Sequence, residues 1–172
     1  MSLRHALLGA LAEGDASGYD LVKLFNSSLA NVWPATQSQI YTELTKLADA
    51  ELIKVSDAGP RGRKEYALTD AGLTELRRWL TETRPKRPTR NEALLRVFFL
   101  GVLSREQTSA YLAEMIDAAT RDHAALEAVR DNADWDGSNL SVYGRLALEW
   151  GLRFTRMRGE WAEWAAEQLD RR

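Results

Sequence analysis

Apolar residues return at helical spacing from the start of the chain, where Leu3, Leu7, Ala10 and Leu11 share one face, Ser2 stands ahead as a cap, and Glu13-Gly14-Asp15 ends the rhythm. Ser17 and Asp20 then form an acidic variant of the capping box before Leu21, Leu24, Phe25 and Leu29, predicting a second amphipathic helix. The turn-rich stretch 26–35 closes on Trp33-Pro34, where the proline disfavours helix at the residue before it. Thr36 and Gln39 supply a full capping box for a third helix carrying Ile40, Leu44 and Leu47 on one side. Two β-prone runs follow, 52–55 and 65–68, separated by a loop at 57–64 that holds two glycines and a proline. A fourth helix, capped by Thr69-Asp70, runs through Leu73, Leu76, Trp79 and Leu80 until the two prolines of Arg84-Pro85-Lys86-Arg87-Pro88 break it.

Beyond that break, residues 91–103 are strongly apolar, Ser104 and Gln107 make another capping box, and helix is expected toward Asp131. A loop at 132–139 precedes a last helix from about Ser141 to Leu169. The expected fold is mainly α with a small β-hairpin. A winged helix-turn-helix domain spans residues 1–84, a linker 85–90, and an all-helical dimerisation and effector domain 91–172.

At 100° per residue from Ile40, Ser38, Thr42 and Thr45 fall opposite the buried face of the third helix, with Gln39, Tyr41 and Lys46 on its flanks. Such a short polar face suits the major groove, where side chains near a helix N-terminus meet base edges, and the terminal N–H groups favour phosphate. Thr36, Gln37, Ser38, Gln39, Tyr41, Thr42, Thr45 and Lys46 are therefore the candidate DNA-reading residues of this helix.

Charge alters this picture only locally. The net charge is −2, and the first 88 residues carry 12 Lys or Arg against 11 Asp or Glu, so bulk electrostatics do not mark a nucleic-acid binder. On the hairpin loop, however, Arg61, Arg63 and Lys64 cluster where a wing meets phosphate or inserts into the minor groove. The alternative is a winged helix used only for protein contacts, which has no need of that cluster.

Taken together, the blocks resemble the PadR-type transcriptional regulators over nearly the whole chain. They are Leu7-Leu8-Gly9, Ser17-Gly18-Tyr19-Asp20-Leu21, Trp33-Pro34-Ala35, Gln39-Ile40-Tyr41, Gly62-Arg63-Lys64 and Thr69-Asp70-Ala71-Gly72. The second half resembles that family's longer subgroup in Leu94-Leu95-Arg96-Val97-Phe98-Phe99 and in its tryptophan-rich last helix. The resemblance implies a homodimer that binds an inverted-repeat operator in double-stranded DNA, usually as a repressor released by a small molecule. It also implies DNA contact by Tyr41, the polar residues before it and the wing. Family patterns often place proline after that tyrosine, whereas Thr42 follows here, which leaves base specificity open.

In the last helix Tyr143, Ala147, Trp150, Phe154, Met157, Trp161 and Trp164 alternate steps of four and three, the rhythm of a seam between helices. Packing within the subunit would use the same stripe, but few other long helices are present to cover three tryptophans. Tyr143, Trp150, Phe154, Met157, Trp161 and Trp164 are thus the candidate dimer residues, and Trp33 and Trp150 the candidates for stacking a hydrophobic or aromatic effector.

The remaining chemistry is mostly exclusion. There is no cysteine, His5 and His123 lack ligand-spaced partners, and no glycine-rich phosphate loop, Gly-x-Ser-x-Gly or His-Glu-x-x-His occurs, so neither an enzyme, a metal nor a cofactor is expected. The opening segment is too short to span a bilayer and has no signal-peptide order, so a cytoplasmic protein without membrane partners is expected.

Overall fold

The computed structural model describes residues 2–30, 32–56, 64–85 and 90–171. It divides into two compact units, Met1–Pro85 with Asp134–Gly144, and Lys86–Ala133 with Arg145–Arg172.

In the first unit the order is α1 (Ser2–Leu11), β1 (Ala16–Ser17), α2 (Gly18–Ser27), α3 (Gln37–Asp49), β2 (Ile53–Ser56), β3 (Glu65–Leu68) and α4 (Asp70–Glu82). The three strands form an antiparallel sheet in the order β1-β3-β2, with Ile53 opposite Leu68, Ser56 opposite Glu65 and Ala16 opposite Tyr66. The expected hairpin is therefore present, but a two-residue β1 pairs with its other edge, a segment too short to show period-two alternation in sequence.

Helix starts follow the capping chemistry. At α2 the Asp20 amide donates to Ser17 Oγ at 3.2 Å while the Ser17 amide donates to Asp20 Oδ2 at 3.3 Å, and at α4 the Gly72 amide donates to Thr69 Oγ1 at 3.0 Å. The helices then converge on one core, in which Leu7, Leu8 and Leu11 of α1 meet Leu21 and Phe25 of α2 and Ile40, Leu44 and Leu47 of α3. His5 belongs to this packing, stacked on Trp79 with ring centroids 4.5 Å apart and its Nε2 3.2 Å from Glu75 Oε1. Hydrogen bonds from Arg78, then from His5, hold the Glu75 carboxyl below the ordinary carboxylate range.

Between α3 and β2 the chain turns through Glu51, whose φ of 57° is left-handed. That turn presents the Leu52 carbonyl to Thr69, whose amide and hydroxyl both donate to it. A side chain on Gly72 would collide with the same carbonyl and with Leu68, so α4 comes this close to the sheet only at glycine.

The second unit contains α5 (Glu92–Phe98), a short 3-10 turn (Leu100–Val102), α6 (Arg105–Asn132) and most of α7 (Asn139–Asp170). Ser104 and Gln107 form the expected capping box at α6. α6 and α7 run antiparallel, as the pairs Ala119 with Gly159, Asp122 with Arg158, His123 with Thr155 and Leu126 with Gly151 record. Leu112, Ala119 and Leu126 of α6 and Leu148, Leu152 and Ala162 of α7 are buried, and Thr155 among them lies 2.8 Å from His123 Nδ1. Both histidines thus serve packing. Among the described residues no group of three His, Asp or Glu is arranged to hold a metal, and no helix is long and apolar enough to cross a membrane.

Gly72→Ala is expected to lower the unfolding free energy by about 2 kcal/mol, because the collision is with backbone and cannot be relieved by a rotamer change. Urea denaturation followed by circular dichroism measures it.

Candidate nucleic-acid interface

The division of α3 into two faces is complete. Ile40, Leu44 and Leu47 are essentially inaccessible, while Gln37, Ser38, Gln39, Tyr41, Thr42, Thr45 and Lys46 are exposed. Two of these side chains, Gln39 and Thr45, already have work within the helix, as does the Thr36 cap. The Thr36 amide donates to Gln39 Oε1 at 2.9 Å and the Gln39 amide to Thr36 Oγ1 at 3.3 Å, closing the capping box, and Thr45 Oγ1 donates to the Tyr41 carbonyl at 3.1 Å. Gln37, Ser38, Tyr41 and Thr42 remain as the outward group near the helix start, with Lys46 a turn further on and 3.5 Å from Glu43.

Tyr41 is 39% exposed, but its phenol lies against the first residue of α2, Gly18. The nearby Tyr66 phenol is raised above its ordinary range, first by burial and then by the proximity of Tyr41. Sequence reasoning singled out Tyr41 but missed these two neighbours, since contacts between α2, α3 and β3 leave no periodic signal.

Of the wing cations, Lys64 is exposed immediately before β3, whereas Arg61 and Arg63 lie outside the described residues. The described ends of the hairpin strands, Ser56 and Glu65, pair at the end of the sheet away from the turns that join it to α3 and α4.

Trp33 lines an open cavity of about 630 Å³ together with Leu3, Val32, Pro34 and, from α3, Ser38, Thr42 and Lys46. Trp150 belongs to a different setting. On α7 it stacks on Phe154 at 5.1 Å between centroids, and the Arg158 guanidinium lies 5.8 Å over Phe154. Tyr143, Trp150, Phe154, Met157 and Trp164 are all exposed in the single chain, Trp150 to 68%, and Trp161 is half-buried. Also exposed are Leu95, Phe98, Phe99 and Val102 of α5 and the turn after it, Phe98 to 86%. The apolar character of 91–103 was visible in sequence, but its exposure was not.

A helix-turn-helix followed by a β-hairpin, with a polar α3 face and a separate helical unit, defines the winged-helix class of transcription regulators. Residues 7–78 match the model of the PadR-like transcriptional regulator family, and residues 89–170 match the C-terminal model of the virulence activator alpha family. A probable transcriptional regulator of Mycobacterium tuberculosis is 32% identical, with 98% of each chain aligned. The negative transcriptional regulator PadR of Bacillus subtilis is 40% identical over 111 residues, which cover 62% of this chain and 61% of that protein. Its solved structures superpose over 98% of this chain, with TM-scores of 0.83 for the complex with operator DNA (28% identity, 99% of that chain) and 0.85 for the complex with p-coumaric acid (29% identity, 95% of that chain). The chain belongs to the PadR-like family of transcriptional regulators.

Thr36→Ala is expected to lower stability by about 1 kcal/mol through loss of the cap, whereas Gln37→Ala, exposed one residue later, should change it by less than about 0.5 kcal/mol. Chemical denaturation of the two variants side by side tests this split.

Proposed function

We propose that the chain is a cytoplasmic homodimeric repressor that binds an inverted-repeat operator and is released by a small aromatic effector. The observation that carries the reading is the face of α3, apolar and locked inside, polar and outward at Gln37, Ser38, Tyr41 and Thr42. Residues 1–84 read DNA, 91–172 pair the chains, and 85–90 join them. Thr36 and Gln39 act by holding the helix start, Thr45 and Lys46 flank the contact, and Arg61, Arg63 and Lys64 meet the phosphates.

Pairing is supported by the exposed aromatic stripe of α7, because a monomer in water gains by covering Tyr143, Trp150, Phe154, Met157, Trp161 and Trp164. One recognition helix touches only a few base pairs, and a two-fold axis lets two of them read half-sites about one helical turn apart. The effector reading is supported by the aromatic surfaces of Trp33 and Trp150 and by the p-coumaric acid complex of the Bacillus subtilis protein. No catalytic activity is assigned.

Selection of bound duplexes from a random-sequence library should enrich an inverted repeat, and enrichment of no sequence would contradict the reading. On the selected duplex, Lys64→Ala should lower the salt slope of binding by about one unit, while undiminished binding by the Arg61, Arg63, Lys64 triple-alanine variant would remove the wing from the interface.

For the seam, Trp150→Glu with Met157→Glu should sediment as a monomer with its helical content retained. Dimers that persist would place the subunit contact elsewhere. Quenching of tryptophan fluorescence by p-coumaric acid, with release of the duplex at the same concentrations, checks the effector; release without quenching would exclude Trp33 and Trp150.

A further inference from the structure

Gly18 is buried at the head of α2, directly behind the Ser17 cap. Its backbone is helical and has no positive φ, so the conformation itself does not call for glycine. What calls for it is Tyr41. A Cβ on Gly18 would stand 2.6 Å from Tyr41 Cε1 and 2.9 Å from both Cζ and the phenol oxygen, well inside van der Waals contact. The three nearest atoms all belong to the far end of one side chain, so movement of the phenol relieves these clashes without moving backbone.

Alanine is also the better helix former, and this position sits in the first turn, where the capping box would be untouched. A substitution here is therefore inexpensive for the fold and disruptive for Tyr41.

We propose that Gly18 is a positioning residue for DNA recognition, leaving the slot that holds the Tyr41 phenol in the orientation in which it meets the operator. The inference rests on the reading of Tyr41 as a DNA contact. It assigns Gly18 no contact of its own and places part of the specificity of α3 in the neighbouring helix.

The test is a double-mutant cycle on the full chain with Gly18→Ala, Tyr41→Ala and the pair, measured by fluorescence anisotropy on the duplex selected by the wild type. Gly18→Ala should weaken binding on the order of tenfold, the range of coupling between residues in contact, and should change it less than about twofold once Tyr41 is alanine. Ring resonances of Tyr41, assigned through Tyr41→Phe, should shift in Gly18→Ala while the melting temperature holds within about 4 °C, the shift that about 1 kcal/mol produces in a chain of this size.

Equal weakening in both backgrounds, or none in the presence of Tyr41, overturns the proposal. Wild-type affinity in Tyr41→Ala would fail the underlying reading instead, and the single variant shows this before the cycle is closed. If Gly18→Ala does not fold, recovery of folding in the pair supports the slot, and failure of the pair to fold overturns it.

Discussion

The insertion of Ile40, Leu44 and Leu47 between the leucines of α1 and the apolar face of α2 is the contact on which everything else in the first unit depends. Full burial of an aliphatic side chain contributes about 1.5–3 kcal/mol, so these three anchors outweigh every charged contact α3 makes. The exposed ion pair between Lys46 and Glu43 lies in the class that contributes about 0–1 kcal/mol. Orientation of the helix is thus fixed from inside by apolar packing, and its polar outer face adds only the cap, the Thr45 bond to the Tyr41 carbonyl and the seat of Tyr41 on Gly18. The sheet uses the same core through Ile53 and Tyr66, which ties the wing to the helix it accompanies.

The second unit repeats the principle with a different outcome. α7 gives Leu148, Leu152 and Ala162 to α6 and keeps Trp150, Phe154, Met157 and Trp164 outside. At 32 residues it extends roughly 48 Å at 1.5 Å per residue, alongside the 28 residues of α6. This second apolar face, exposed among the described residues, is the surface proposed above for a second copy of the chain, as the polar face of α3 is the one proposed for DNA.

Much of this was legible in the residues because capping is local chemistry. Ser17 with Asp20, Thr36 with Gln39, and Ser104 with Gln107 each stand three apart and each starts a helix where the pairing places it. Periodicity found the core of α3 and the stripe of α7, since both follow from 3.6 residues per turn. Contacts across distant elements were not legible. β1 is two residues long, the approach of Gly72 to Leu52 depends on how α4 crosses the sheet, and the seat of Tyr41 on Gly18 joins residues from two helices. The last helix also starts at Asn139, ahead of the expected Ser141, with the Ser141 amide donating to Ser138 Oγ at 3.2 Å just behind it.

Hydroxyl-radical footprinting of side chains, with and without the selected duplex, tests most directly whether the outward face of α3 is the reader. Tyr41 should be protected from oxidation several-fold on binding, while Tyr143 on α7 keeps its free-protein rate. An unchanged oxidation rate at Tyr41 in the saturated complex would contradict the account.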